Sequence, residues 1–161
     1  MMKEIQLTQG KVTLVDDEDY KHLNQWKWYA HKGTKTFYVV RYTNINGKQE
    51  IIYMHRIIMN TLNNQEVDHK DHNGLNNQKY NLRNCTKTQN QANKKKRINC
   101  SSKYKGVCWH NFAQKWQSLI KINYTQKHLG YYASELEAAL AYNKVAKELF
   151  GDFALLNEVI I

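Results

Sequence analysis

Acid is what this chain of 161 residues lacks, and it lacks it in one place: between His72 and Ser134 there is no Asp or Glu. The same window holds twelve Lys and Arg, a formal charge of +12 inside a chain whose total is +10. A solvated surface mixes signs, so a field this one-sided points to a polyanionic partner, nucleic acid first. Long apolar runs are missing as well. None approaches the roughly 20 residues of a membrane span, and the N-terminus has no apolar core of the signal-peptide kind, so the expectation is a soluble intracellular protein, neither secreted nor membrane-bound. Cysteine is scarce. Cys85, Cys100 and Cys108 are odd in number and contain no Cys-x-x-Cys pair, which supports neither a disulfide framework nor a zinc knuckle. Free thiols in a reducing compartment account for them. The alternative, a three-cysteine zinc site completed by His110, matches no recurrent spacing, and no zinc is expected.

What is present divides into segments, and the length allows one ordinary domain or two or three small modules. Residues 1–52 alternate short strand signals with turns. Strands at 5–7 and 11–15 flank Thr8-Gln9-Gly10, and strands at 37–42 and 50–53 flank Asn46-Gly47. Asp16 and Asp17 offer caps for a short helix through Leu23, after which Trp26 and Trp28 are expected in the core rather than stacked on bases. Residues 53–93 hold a helical run at 55–60, an extended segment at 67–69, a loop with a turn at His72-Asn73-Gly74, and a helix from about Thr86 that carries Asn90. Residues 94–102 form a basic linker. Its run Lys94-Lys95-Lys96-Arg97 reads equally as a solvated face, a targeting tag or a tracker of the phosphate backbone. Residues 103–161 read as three strands, at 106–109, 116–122 and 127–132, then a helix opened by the capping box Ser134-Glu135-Leu136-Glu137 and closed by Gly151. The fold class is α+β: a small β-rich scaffold, a central module, and a C-terminal three-stranded antiparallel sheet packed on one helix. One face of that sheet is left open for a ligand, with Lys105, Trp109, His110, Lys115 and Lys121 on or beside its strands.

The chemistry concentrates in Val67-Asp68-His69. A lone carboxylate beside a histidine, with the amides Asn77 and Asn90 returning 8 and 21 residues after that histidine, is the set a one-metal phosphodiester-cleaving centre requires. Neighbours on an extended segment point to opposite sides, so Asp68 and His69 cooperate only where the strand ends or twists. Other readings stay open. His55 contacts phosphate or is structural, and Asp71 and His72 reach the metal or face solvent. The whole set also reads as an Asn-rich turn engaged in local backbone hydrogen bonds, which explains neither Asn90 nor the acid-free flank.

Two resemblances rest on these residues. Residues 53–93, with His55-Arg56, Val67-Asp68-His69, Gly74-Leu75-Asn76-Asn77, Asn81-Leu82-Arg83 and Gln89-Asn90-Gln91-Ala92-Asn93, resemble an HNH endonuclease of the phage and intron-homing type. Asn90 stands where the family name implies a last histidine, as in the HNN subgroup. Residues 103–157, with Tyr104-Lys105-Gly106-Val107, Lys115-Trp116, His128-Leu129-Gly130 and Glu137-Ala138-Ala139, resemble the plant ethylene-response-factor-like, Apetala-type DNA-binding domain. Lys105 replaces the usual Arg there, and one extra residue precedes Lys115. The first resemblance implies a ββα-metal fold in which Asp68 and Asn90 hold one divalent ion, magnesium with manganese as substitute. His69 is then the general base, and Asn77 orients its ring. Together they imply a homing-type nuclease of double-stranded DNA in the cytoplasm of a bacterial host. The alternative is a non-cleaving DNA-binding regulator with a degenerate nuclease fold. A modular chain further predicts that removing 103–161 leaves a nuclease that still cuts and has lost site preference.

Overall fold

Hairpins closed by short polar turns dominate both of the compact units into which the chain divides, residues 1–87 and 88–161. The computed structural model describes residues 1–96 and 100–159. Small sheets with few helices make it an α+β protein.

In the first unit, β1 (Met2–Gln6) and β2 (Val12–Asp16) pair antiparallel from Met2↔Asp16 to Gln6↔Val12. Helix α1 (Asp17–Leu23) follows at once. Asp16 occupies its N-cap position, but the expected side-chain cap does not form. That carboxylate instead accepts from the Lys79 backbone N–H at 2.7 Å and from Gln78 Nε2 at 3.2 Å, while Asp17, Glu18 and Asp19 meet the positive end of the helix as charges. Strands β3 (Tyr29–Lys32), β4 (Phe37–Ile45) and β5 (Lys48–Tyr53) form a sheet in that order. The β4–β5 reversal uses Asn46 and Gly47 at φ 52° and 77°, the left-handed pair that a two-residue hairpin matched to strand twist demands.

The short helix α2 (Met54–Ile58) leads to β6 (Glu66–His69), which pairs antiparallel with β7 (Leu82–Cys85). Ile5, Val15, Leu23, Trp28, Val39 and Met54 make the core, with Leu75 packed against it from the loop between β6 and β7. Trp28 is buried with its indole N–H on Leu23 O at 2.8 Å, so the polar handle is satisfied inside the core. Trp26 packs at the rim under the Arg41 guanidinium, 4.6 Å from its ring centre. The loop is stitched to β2 by Leu14 N to Leu75 O at 3.0 Å and Asn77 N to Leu14 O at 2.8 Å. The N-terminal strands and the segment through β7 therefore share one core.

The second unit contains most of α3 (Lys87–Asn93), then β8 (Val107–His110), β9 (Lys115–Ile122) and β10 (Thr125–Tyr132) in an antiparallel sheet with β9 central. A bulge between His128 and Gly130 shifts the β9–β10 register. Helix α4 (Glu135–Phe150) starts on the capping box read from the sequence: Ser134 Oγ accepts from Glu137 N, and the Glu137 carboxylate accepts from Ser134 N. Its buried residues Ala138, Ala139, Tyr142 and Ala146 are small except for one, which lets the helix lie close on Val107 and Ile120.

Candidate active site

The β6–β7 ribbon sorts the two central residues by face. Cross-strand partners share a face, and neighbours along a strand do not. Asp68 stands opposite Arg83 and His69 opposite Leu82, so carboxylate and imidazole leave the ribbon on opposite sides, and β6 ends at His69. Asp68 is buried and pairs with Arg83 through Nη2 at 2.6 Å and Nε at 2.8 Å, both on Oδ2. A charge-assisted double contact of this kind fixes the carboxylate in orientation.

On the other face His69 Nε2 lies 3.2 Å from Asn77 Oδ1. The orientation of that amide follows from its other partners. Asn77 Nδ2 donates to Thr13 Oγ1 at 2.9 Å and to Gly74 O at 3.4 Å, and Thr13 Oγ1 donates onward to Leu75 O at 2.7 Å. A carbonyl cannot donate, so the Asn77 nitrogen faces Gly74 and its oxygen faces the ring. His69 Nε2 therefore carries the proton, and in the neutral ring Nδ1 is the unprotonated nitrogen. Burial pushes the His69 pKa down, against the Asn77 hydrogen bond and the negative charges of Asp71 and Asp68, and the net direction is down. The ring is neutral at pH 7.

His55, on α2, lies edge-on to His69 with ring centres 5.2 Å apart; Tyr38 packs against both rings and Tyr53 against His55. Burial, then the nearby His69 and Arg56, lower the His55 pKa to about 3, and its buried Nδ1 has no hydrogen-bond partner among the described residues. The loop after β6 is organised by Asp71. Its Oδ1 accepts from Asn73 N at 2.7 Å and Asn81 Nδ2 at 2.9 Å, and its Oδ2 from Asn76 Nδ2 at 2.9 Å. Burial raises this carboxyl, but the three hydrogen bonds outweigh it and hold the pKa below the usual carboxylate range. Asp71 thus anchors the loop. His72 takes a left-handed turn conformation, φ 65°. Gly74 allows the loop to pass β4, because a Cβ there would meet Phe37 O at 2.4 Å.

The remaining expected site residues lie elsewhere. Asn90 is on α3, past the boundary at Lys87, in the second unit. Lys94 and Lys95 are exposed, Lys96 Nζ donates to Ser102 O at 2.6 Å, and Arg97 lies outside the described residues. His110, Lys115 and Lys121 fall on the sheet face opposite Ser118 and Ile120, joined there by Tyr131, whose ring centre is 5.1 Å from His110 and 4.5 Å from His128. Two residues depart from the expected open face. Trp109 sits on the side covered by α4, edge-on to Trp116 at 5.2 Å, because strand alternation puts it with the core-facing set. Lys105 is half-buried with its ammonium on Ala92 O, and burial lowers its pKa to about 8. Conversely, Phe112 at the tip of the β8–β9 turn is 96% exposed. Its turn is fastened by Ala113 N to His110 Nδ1 at 3.0 Å and by Gln114 Nε2 to Asn111 O at 2.6 Å.

Sequence reading did not identify Thr13, Tyr38 or the Arg83 partnership. Arg83 was recoverable once 70–81 is seen as a hairpin connection. Thr13, 64 residues from Asn77, carries no local signal. Among the described residues, no three His, Cys, Asp or Glu side chains gather as a metal cage. The expected pair, one carboxylate and one amide, is a hard oxygen set that suits a magnesium-like ion and leaves the rest of its shell to water and phosphate.

The sequence is 33% identical over 156 residues to an uncharacterized HNH endonuclease of Acanthamoeba polyphaga mimivirus, an alignment covering 93% of this chain and 76% of that protein. The chain belongs to the HNH endonuclease family. No family model matches it, and no solved structure matches it. No helix is long and apolar enough to cross a membrane among the described residues.

Proposed function

We propose that the chain is a metal-dependent endonuclease of duplex DNA, of homing type and built on a ββα-metal module, with the open face of its Apetala-type C-terminal sheet as the address on DNA. The observation that carries the reading is His69: a neutral, buried imidazole whose tautomer is set by Asn77 and whose strand neighbour is an ionised carboxylate.

Hydrolysis of a phosphodiester needs a water stripped of its proton, charge compensation at the phosphate and help for the leaving oxygen. His69 supplies the first, accepting the water proton at Nδ1. Asn77 holds the ring through Nε2 and stabilises the resulting imidazolium by accepting from the same N–H. Asp68 and Asn90 are the residues that would hold the ion. When bound, the divalent ion compensates charge on the phosphate and on the departing oxygen. Arg83 keeps Asp68 aimed. The exposed lysines of the acid-free window, Lys94, Lys95, Lys115 and Lys121 among them, attract the phosphate backbone of DNA independently of sequence.

The test is cleavage of supercoiled plasmid in magnesium. His69→Ala is expected to lose about 10²- to 10⁴-fold in rate, the range for a general base. Cleavage unchanged in that variant would sink the proposal, and so would a wild-type protein that binds DNA and cuts none in magnesium or manganese.

A further inference from the structure

The helix that carries Asn90 is fastened at both ends inside the second unit. At its C-terminal end Ala92 O accepts from two donors remote in sequence, the Lys105 ammonium and the Leu155 backbone N–H at 3.2 Å. Near its other end Thr88 Oγ1 donates to Asn123 Oδ1, in the β9–β10 turn, at 2.8 Å. Ala92 and Asn93 are buried. Lys105 is in turn held through its own backbone: its N–H donates to Asn157 Oδ1 at 2.6 Å, and its carbonyl accepts from Asn157 Nδ2 at 3.1 Å. Asn157 exchanges two more bonds with Asn143 of α4, at 2.9 and 2.7 Å. A continuous run of hydrogen bonds thus leads from α4 through Asn157 and Lys105 to the last turn of α3.

The chemistry suits a strut better than a DNA contact. The last carbonyls of a helix lack partners and lie at the negative end of its dipole, where an ammonium satisfies one and is favoured by the other. A lysine meant for phosphate stays in water, whereas this one is drawn inward.

We infer that Lys105, with the Asn143–Asn157 strap behind it, is a positioning residue for the Asn90-bearing helix. The inference rests on Asn90 being a metal ligand. It reverses the expectation that a chain cut before residue 103 still cleaves.

The test uses the full chain and manganese ion as the probe, titrated by electron paramagnetic resonance in the absence of DNA. Lys105→Met removes the ammonium at nearly equal length and is expected to weaken manganese binding about tenfold, the lower range for loss of a support behind a metal ligand. Plasmid cleavage falls in parallel, while metal-free DNA affinity stays as in wild type. Lys105→Arg, which keeps a charged donor, restores both. Leu155→Pro deletes the other donor to Ala92 O, and Ala154 already has the extended backbone that precedes proline (φ −72°, ψ 119°), so it is expected to act in the same direction. Wild-type manganese affinity in both Lys105→Met and Leu155→Pro overturns the inference. A Lys105→Met defect confined to DNA affinity overturns it too, since Lys105 is then a phosphate contact. If Lys105→Met fails to fold, Leu155→Pro alone decides. Asn90→Ala separates the two levels. Wild-type manganese affinity there fails the ligand assignment itself, while a loss there with intact strap variants fails the strut alone.

Discussion

The β6–β7 region of the first unit and the open sheet face of the second handle polar side chains in opposite ways. Around β6 and β7, Asp68, His69, Asn77 and Asn81 are each at most 6% exposed, and each is engaged by another protein group. On the open face of the second unit's sheet, Lys115 and Lys121 are exposed, and the aromatic tip Phe112 touches almost nothing. Buried, partnered groups hold a geometry before any substrate arrives, which is what a reacting centre needs. Exposed, like-signed groups on a rigid sheet attract a charged polymer and settle into contact with it, which is what an address needs. Damage to the first region is therefore expected to cost rate and stability, and damage to the second to cost affinity.

The largest expected break is Arg83→Met. It leaves the Asp68 charge buried without its partner, a change worth about 3–5 kcal/mol in comparable buried pairs. Urea denaturation followed at backbone resonances of residues 1–87 measures it. A loss under 1 kcal/mol would mean that Asp68 is solvated and the first unit is no more preorganised than the second.

Acid is the next test of the same contrast. His55, lowered to about 3, and His69, also lowered, stay neutral in the folded chain while the unfolded chain binds their protons from about pH 6.5 downward. Stability is then complete above pH 6.5 and falls as the pH drops toward the folded values, for His55 down to about 3, by at most about 1.4 kcal/mol per histidine for each pH unit. Asp71 adds a loss of the same sign at lower pH, because its lowered pKa contributes stability only above the ordinary carboxylate value. The His55→Phe variant is expected to flatten the slope of the first unit between pH 6.5 and 4.5. An unchanged slope would show that His55 takes up its proton freely when folded.

Much of this contrast was legible in the sequence, and the part that was not is physical. Hairpins announced themselves through Asn46-Gly47, and α4 through Ser134 and Glu137, because turn and cap chemistry is local. The meeting of Asn77 with the His69 ring was legible for the same reason: the two sit on one ribbon and its connecting loop. Thr13, which sets the Asn77 amide and hence the His69 tautomer, comes from a strand 64 residues away, and only the folded core brings it there. Asp16 looked like a cap and became a clamp on Lys79 because two long-range donors compete better than a helix N-terminus. Lys105 and Trp109 were expected on or beside the open face, but which face a helix covers is decided by packing.

Asn77→Ala should sharpen the comparison without collapsing it. Removing the acceptor at Nε2 frees the His69 ring and its tautomer, and loss of such a support typically costs about 10- to 100-fold in activity. DNA affinity is expected to stay level, since no element of the sheet is touched. A parallel fall in affinity would merge what the structure separates.

The smallest expected effect is at Phe112. At 96% exposure it adds no packing, so Phe112→Ala is expected to change stability by less than about 0.5 kcal/mol. Its fastened turn stands beside Lys115 and His110 on the charged sheet, however, and a ring so placed meets duplex bases by inserting between base steps. A several-fold weaker Kd for duplex DNA, with the dependence on salt unchanged because no charge is removed, is the signature of a ring meeting bases and not phosphates. If affinity is untouched, the tip points away from DNA and the contact face shrinks to the lysines and the His110–Tyr131–His128 row behind it.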